Sequence, residues 1–362
     1  MGVYIMRGIR KIFGRVVCVI IVGVIIYMTI IKGHTLPIFI RNSIAKYETV
    51  TLGDVNQTIL IRGNNIENPV LLYLHGGPGN PETAFITKYQ KEWEKHFIVV
   101  NWDQRGSGKS YNSKINADTL NIQGTYNDTI QLVEYLQKKF NTKKIYLVGH
   151  SWGTYLGMLA IKNNPQLFYA YIGVGQVADQ QTNEFEIRKY ALNNAEKEGN
   201  QKAISELKAI GEPPYNKTDF ESKIGVNRKW SAYYGGALWG KNNTDQFTYE
   251  VIFGLHYNVF DLIKYLKGDN LFYKQTNQAR WDLYSANLVK DIPSVEVPIY
   301  FCQGLHDNLT SYKLAKDYYE QIKAPKKEFK TFSNSAHFPN IEECDEFSAY
   351  LINTVLLQTY TK

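Results

Sequence analysis

Strand-like runs at residues 57–62, 69–75, 97–102, 144–149, 169–175, 297–303 and 327–332 punctuate the chain. Polar turns separate them, as do stretches, among them 128–140 and 152–163, whose apolar residues recur at helical spacing. Short apolar strands alternating with helices are the pattern of a mostly parallel sheet buried under helices on both faces, so an α/β fold is expected. Between about Gly175 and Val297 the alternation stops, and helical stretches and loops take over. This insertion, read as a helical cap over 178–290, is rich in aromatic residues such as Trp230, Trp239, Phe247, Phe260, Tyr273 and Trp281. Aromatic side chains fill a small helical core, and they also cover an apolar cleft.

The N-terminus follows a different rule. Arg7, Arg10, Lys11 and Arg15 precede Val16 to Ile31, sixteen residues without a charge. As a helix these cover ~24 Å; adding Ile12 and Phe13, with Arg15 snorkelling, brings the stretch to about twenty residues, enough to cross a ~30 Å hydrocarbon core. A cleaved signal peptide shares the charged leader, but this run ends without a small-residue cleavage pattern and exceeds the usual signal core. The expected organisation is a basic flank and uncleaved anchor over 1–33, a tether over 34–46, and an α/β core in two parts, 47–177 and 291–362, around the cap. The basic flank then stays cytoplasmic and the folded part lies outside the cytosol, on a single-pass anchor in the cell membrane.

Gly149-His150-Ser151-Trp152-Gly153 joins the strand 144–149 to the helix 152–163. Glycine two positions either side of a serine at a strand-to-helix junction fits a nucleophile elbow, where backbone packs on backbone and the hydroxyl is left exposed at the sheet's edge. The first amide of the following helix, Trp152 N–H, is then expected to hold negative charge developing at the reacting atom. An ordinary glycine-flanked turn carries the same letters, so the rest of the chain must supply an imidazole base and a carboxylate to orient it.

With a serine on such an elbow, the carboxylate and then the imidazole follow it along the chain. His34, His75 and His96 precede Ser151, His150 lies inside the elbow and His256 falls in the cap, which leaves His306 and His337. Asp307 follows the strand 297–303 and His337 follows the strand 327–332, so both sit at strand ends where open α/β sheets place functional groups. Asp282 and Asp291 close no apolar strand, and Asp345 comes after the histidine. The expected catalytic set is Ser151 as nucleophile, His337 as proton shuttle and Asp307 as the group that fixes its tautomer, with His306 a neighbour of the acid.

Upstream, the strand 69–75 ends in Gly76-Gly77-Pro78-Gly79, whose backbone is expected to give a second oxyanion donor, Gly77 N–H, with Gly76 next in line. His75 reads as a structural hydrogen-bonder. Gly106-Ser107-Gly108-Lys109-Ser110 lacks the full spacing of a phosphate loop, so nucleotide binding is rejected there; Asp103 and Arg105 are expected to pair and brace the loops. Together, His75 to Gly79, Asp103 to Ser110 and Gly149 to Gly153 resemble the proline iminopeptidase branch of the α/β-hydrolase superfamily, from about residue 47 to the C-terminus. The resemblance implies the α/β-hydrolase fold, a serine mechanism and the same triad and oxyanion groups. It further implies that acidic groups of the cap hold the substrate's free α-amino group, for which Glu184 is the candidate, with Glu186 behind it.

The three cysteines, Cys18, Cys302 and Cys344, indicate no disulfide framework, although a Cys302–Cys344 bridge stays open. No Cys/His cluster has zinc spacing, and neither a metal nor another cofactor is expected. The net charge of +7 is partly the basic leader and otherwise diffuse, which excludes a nucleic-acid-binding stripe. Three functions follow. The leading one is a membrane-anchored serine aminopeptidase that releases an N-terminal residue, proline among the candidates, through an acyl-enzyme. A carboxylesterase or lactonase would use the same triad, because fold does not dictate substrate. A non-catalytic surface binding module has no need of a complete nucleophile, acid and base, and an epoxide hydrolase would carry Asp at 151. The expected partners are a small peptide, amide or ester and the membrane; the oligomeric state is left open.

Overall fold

The computed structural model describes residues 2–274 and 277–360, with side chains described from Phe13 onward except those of Tyr273, Lys274 and Asn277. The side chains of Arg7, Arg10, Lys11, Ile12 and Tyr273 therefore lie outside the described residues. Eight strands form one sheet: β1 (Ile44–Leu52), β2 (Val55–Gly63), β3 (Val70–Leu74), β4 (Ile98–Asp103), β5 (Ile145–His150), β6 (Phe168–Val174), β7 (Ile299–Gly304) and β8 (Lys327–Phe332). Their order is β1-β2-β4-β3-β5-β6-β7-β8. β2 runs antiparallel to β1 and β4, and every other pairing is parallel.

The central strands β3 to β7 are buried at nearly every position and mostly apolar because both their faces are covered, whereas β8, at the other edge of the sheet, carries Lys327, Glu328 and Lys330 and buries only Phe332. Along β3 and β5, Leu72, Leu74 and Leu147 face one core, while Leu71, Tyr73, Tyr146 and Val148 face the other, the alternation a pleated strand imposes. Each fully buried Leu or Val contributes about 1.5–3 kcal/mol relative to exposure. β1 was not among the expected strands, and it begins at Ile44, inside the range read as tether. Its physical reason is its place at the sheet's edge, where Lys46 and Glu48 stand in a weakly apolar run and only Val50 and Leu52 are buried.

Helices of eight residues or more are α1 (Gly2–Ile26), α2 (Ile122–Phe140), α3 (Trp152–Asn163), α4 (Gln180–Glu198), α5 (Gln201–Ala209), α6 (Phe220–Tyr233), α7 (Asp245–Phe253), α8 (Val259–Lys274), α9 (Asn277–Tyr284) and α10 (Tyr312–Gln321). α4 to α9 lie between β6 and β7. This excursion leaves and rejoins the core at one point, where Gln180 N donates to Ala286 O (3.0 Å) and Leu288 N to Ala178 O (2.8 Å). Trp230 and Phe220 are buried in its own small cores, whereas Tyr249, Phe253 and Phe260 are exposed.

α1 continues through Tyr27–Ile31, and Phe13–Ile31 is long and apolar enough to cross a membrane, with none of its most apolar stretch buried in the protein. Lys32 and Gly33 then turn inward. Lys32 Nζ donates to Ile252 O, and Gly33 N donates to Leu255 O (2.7 Å), so the end of the helix is tied to the turn between α7 and α8.

Candidate active site

β5 enters α3 through Ser151, whose φ of 52° and ψ of −118° lie outside the regions an L-residue favours. Crowding imposes this conformation. A Cβ on Gly153 would sit 2.1 Å from Leu74 O, and one on Gly149 2.4 Å from Gly153 O, so no larger residue fits either side of the turn. Ser151 N donates to Val174 O (2.9 Å) and Thr154 Oγ1 to Ser151 O (2.6 Å), which fixes the strained peptide. The Ser151 side chain lines a cavity of about 520 Å³ between the sheet and the cap.

His337 lines that cavity and Asp307 stands behind it, Nδ1 to Oδ2 2.9 Å, both almost fully buried. The Asp307 carboxylate has five donors. Leu309 N and Thr310 N reach Oδ1 (both 2.9 Å); Gln303 Nε2 and Thr310 Oγ1 (both 2.8 Å), together with His337, reach Oδ2. An acceptor held so firmly keeps the imidazole proton on Nδ1 and leaves Nε2 free to accept one. His337 lines the cavity with Ser151, but no hydrogen bond joins the two among the described residues; such contacts often tighten only with substrate present.

Burial pulls the His337 pKa below 6.5; Asp307 acts against it, while the His150 and Arg228 charges add to the lowering. With His337 in the expected role of proton shuttle, protonation would remove the base, so activity is expected to fall as pH falls. The acid limb of kcat/KM is expected below pH 6.5, and a pH profile with that limb at or above the ordinary imidazole value would contradict the assignment.

His150 and Glu82 also belong to the site, and neither was expected from the chain. His150 Nδ1 lies 2.6 Å from Glu82 Oε1, its Nε2 lies 3.1 Å from His337 O, and its ring centroid is 4.8 Å from that of His337. Burial alone would lower the His150 pKa, but the Glu82 charge and hydrogen bond outweigh it and raise it. Burial likewise pushes Glu82 up, and His150 with the other donors brings it below the ordinary carboxyl value. The two shifts act together, each favouring the charged form of its group, so the Glu82 carboxylate and the His150 imidazole support each other beside the His337 ring. The only signal in the sequence is a carboxylate in the same loop as the glycines.

Glu82 also accepts from Gly76 N (2.9 Å), which takes Gly76 out of contention as an oxyanion donor. Gly77, at φ 122°, and Trp152 keep backbone N–H groups that find no acceptor among the described residues, and both line the cavity beside Ser151. His75 is structural, Nδ1 2.7 Å from Gly76 O and Nε2 accepting from Gln104 N (3.2 Å). Arg105 does not pair with Asp103. It donates to Asp128 on α2, Nε to Oδ2 2.7 Å and Nη2 to Oδ1 2.6 Å, while Asp103 accepts from Lys109 N (2.8 Å) and Tyr257 OH (2.7 Å).

A family described as alpha/beta hydrolase fold matches residues 69–200. Probable aminopeptidase YbaC of Bacillus subtilis (strain 168) is 34% identical over 308 residues, covering 85% of this chain and 95% of that protein. Proline iminopeptidase of Lactobacillus helveticus is 25% identical over 310 residues, covering 80% and 91%. The crystal structure of proline iminopeptidase from Mycobacterium smegmatis superposes with a TM-score of 0.61 at 17% identity, over 87% of this chain and 99% of that one. The chain belongs to the α/β-hydrolase family, in its proline iminopeptidase-like branch. It is a hydrolase.

In this α/β-hydrolase the cap forms the far wall of the cavity. Glu184 on α4 lines it, but its carboxylate is committed: Oε1 to Arg228 Nη2 on α6, and Oε2 to Asn227 Nδ2 (3.2 Å). Asp269 on α8 lines the same wall and has no hydrogen bond or ion pair among the described residues; burial raises its pKa and Arg280 opposes. Glu186 is not among the cavity's residues. His306 stacks on Trp239 with centroids 3.4 Å apart, beside the acid in sequence but outside the cavity. All three cysteines are free, so the Cys302–Cys344 bridge left open above is not formed.

Proposed function

We propose that the protein is a membrane-anchored serine aminopeptidase that releases an N-terminal residue from small peptides or amides, with Ser151, His337 and Asp307 as its triad. His337 Nε2 takes the Ser151 proton as Oγ attacks the carbonyl carbon; the resulting oxyanion is held by Trp152 N–H and Gly77 N–H. His337 then protonates the leaving amine, and water, activated by the same imidazole, releases the acyl group and restores the serine. The observation that carries this reading is His337, held by Asp307, lining the same cavity as the strained Ser151. The relatives' names, aminopeptidase and proline iminopeptidase, support the substrate class.

The substrate's ammonium group is assigned to the acidic side of the cap, Glu184 together with Asp269, whose carboxylate has no hydrogen bond or ion pair among the described residues. Anchoring rests on Phe13–Ile31, nineteen residues that span about 28 Å as a helix and present no buried face, with the basic flank on the cytoplasmic side and the hydrolase outside. The test is turnover by the full chain of fluorogenic aminoacyl amides, their N-acetylated counterparts and simple esters. Free-amine amides are expected to be cleaved, and N-acetylation to cost about tenfold or more, the worth of one charge-assisted hydrogen bond. Asp269→Asn should raise KM for free-amine substrates by a similar factor and leave esters within about twofold; Glu184→Gln should act in the same direction. The Arg228–Glu184 pair favours a second reading, a carboxylesterase or lactonase indifferent to the amine. Rapid ester cleavage with no amide turnover would establish it instead.

A further inference from the structure

Outside the catalytic cavity, the cap keeps a large apolar surface in solvent. Tyr249 and Phe253 on α7 and Phe260, Ile263 and Leu266 on α8 are all exposed, Phe253 at 65% and Leu266 at 66%. Phe260, Ile263 and Leu266 recur every third residue and so share one face of α8. Tyr265 and Asp269, on its other side, line the catalytic cavity. Phe39 in the tether is 93% exposed. Contiguous exposed apolar side chains of this kind mark a surface that is covered in use.

What covers this face follows from where the apolar N-terminal helix ends. Gly33 N donates to Leu255 O (2.7 Å), Lys32 Nζ to Ile252 O and Lys109 Nζ to Gly33 O (3.2 Å), so the residues that leave the helix are pinned to the turn between α7 and α8 without intervening slack. Phe253 and Phe260 flank that turn. An apolar groove of about 670 Å³ opens between Leu36, Tyr249 and Phe253, and Phe85 lines both this groove and the catalytic cavity. Aromatic residues beside the end of a membrane span sit at the lipid interface, and the exposed Lys267, next to Leu266, suits an anionic headgroup.

Resting on the reading of Phe13–Ile31 as a membrane span, we infer that the α7–α8 face of the cap docks on the outer surface of the same bilayer. The helix that lines the catalytic cavity on one side then touches lipid on the other, which couples the position of the cap to the membrane.

The test uses the full chain carrying Cys18→Ser and Cys344→Ser, with the buried Cys302 retained, in phosphatidylethanolamine–phosphatidylglycerol vesicles. Bimane is placed at Phe253→Cys or Leu266→Cys, and the vesicles carry a nitroxide lipid. Quenching of at least about twofold is expected at both cap positions. Lys313→Cys on α10, which packs at the β8 edge of the sheet, should be unaffected, and Ile20→Cys reads the span independently. A quenched Ile20 label with unquenched cap labels overturns the docking face and leaves the anchor standing. Cap labels untouched by the nitroxide yet shielded from aqueous iodide place a second copy on this face and also overturn it. Unquenched labels at all positions remove both anchor and docking, whereas quenched cap labels with an unquenched Ile20 keep the docking face and remove the span.

Discussion

Ser151→Ala is expected to lower kcat/KM for amides and esters alike by about 10⁴- to 10⁶-fold, and to abolish labelling by a fluorophosphonate. The size follows from the proposed chemistry, in which the substitution removes the oxygen that forms the acyl bond, while His337 and the N–H groups of Gly77 and Trp152 would remain to give weak catalysis by water. The fold should survive. Only Oγ is lost, the backbone bonds that hold the elbow come from Val174 and Thr154, and the Ser151 hydroxyl carries no hydrogen bond among the described residues. Rates measured on both substrate classes, beside near-ultraviolet circular dichroism, check it. Activity within tenfold of wild type would show that another group attacks the carbonyl. A wild-type chain that resists the fluorophosphonate would instead favour a binding module on a hydrolase fold.

What could be read in advance follows a physical divide. β3, β5 and β7 are legible because strands buried on both faces are apolar at nearly every position, the polar exceptions His150 and Gln303 lying toward their C-terminal ends, and the elbow is legible because Gly149 and Gly153 stand where backbone touches backbone. β1 was missed: it carries Lys46 and Glu48 and buries only Val50 and Leu52, although β8, the other edge strand, was read at 327–332 despite Lys327, Glu328 and Lys330, so edge position alone does not decide legibility. Asp307 and His337 were chosen by chain order and strand ends, both local properties, and their side chains meet at 2.9 Å. Pairings between distant elements leave no such trace. Arg105 passes over Asp103, two residues away, for Asp128 on α2, and Glu184 is taken by Arg228 from another cap helix. Composition likewise marks the cap as aromatic without separating Trp230, which is buried, from Phe253, which is not. That separation depends on how α4 to α9 pack together.

Asp307→Asn should cost about 10⁴-fold in kcat at neutral pH with KM changed only a few-fold. The carboxylate now accepts the His337 Nδ1 proton; a carboxamide nitrogen turned toward the ring would donate instead, drive the imidazole proton to Nε2 and leave no lone pair for the serine. The substitution also strands other partners. Leu309 N and Thr310 N can still donate to one carboxamide oxygen, but Gln303 Nε2 and Thr310 Oγ1 lose their acceptor, so a loss of about 1–3 kcal/mol in stability is expected alongside the catalytic defect. Thr310→Val separates the two effects. It deletes a donor to Asp307 Oδ2 and keeps the carboxylate, so it should cost stability yet leave the tautomer and most of kcat intact. Thermal unfolding, kcat and the rate of fluorophosphonate labelling, measured on both variants, decide between the roles. If Asp307 orients the base, its variant loses labelling rate in step with kcat; if it only secures the loop, the two variants will differ in melting temperature and little else.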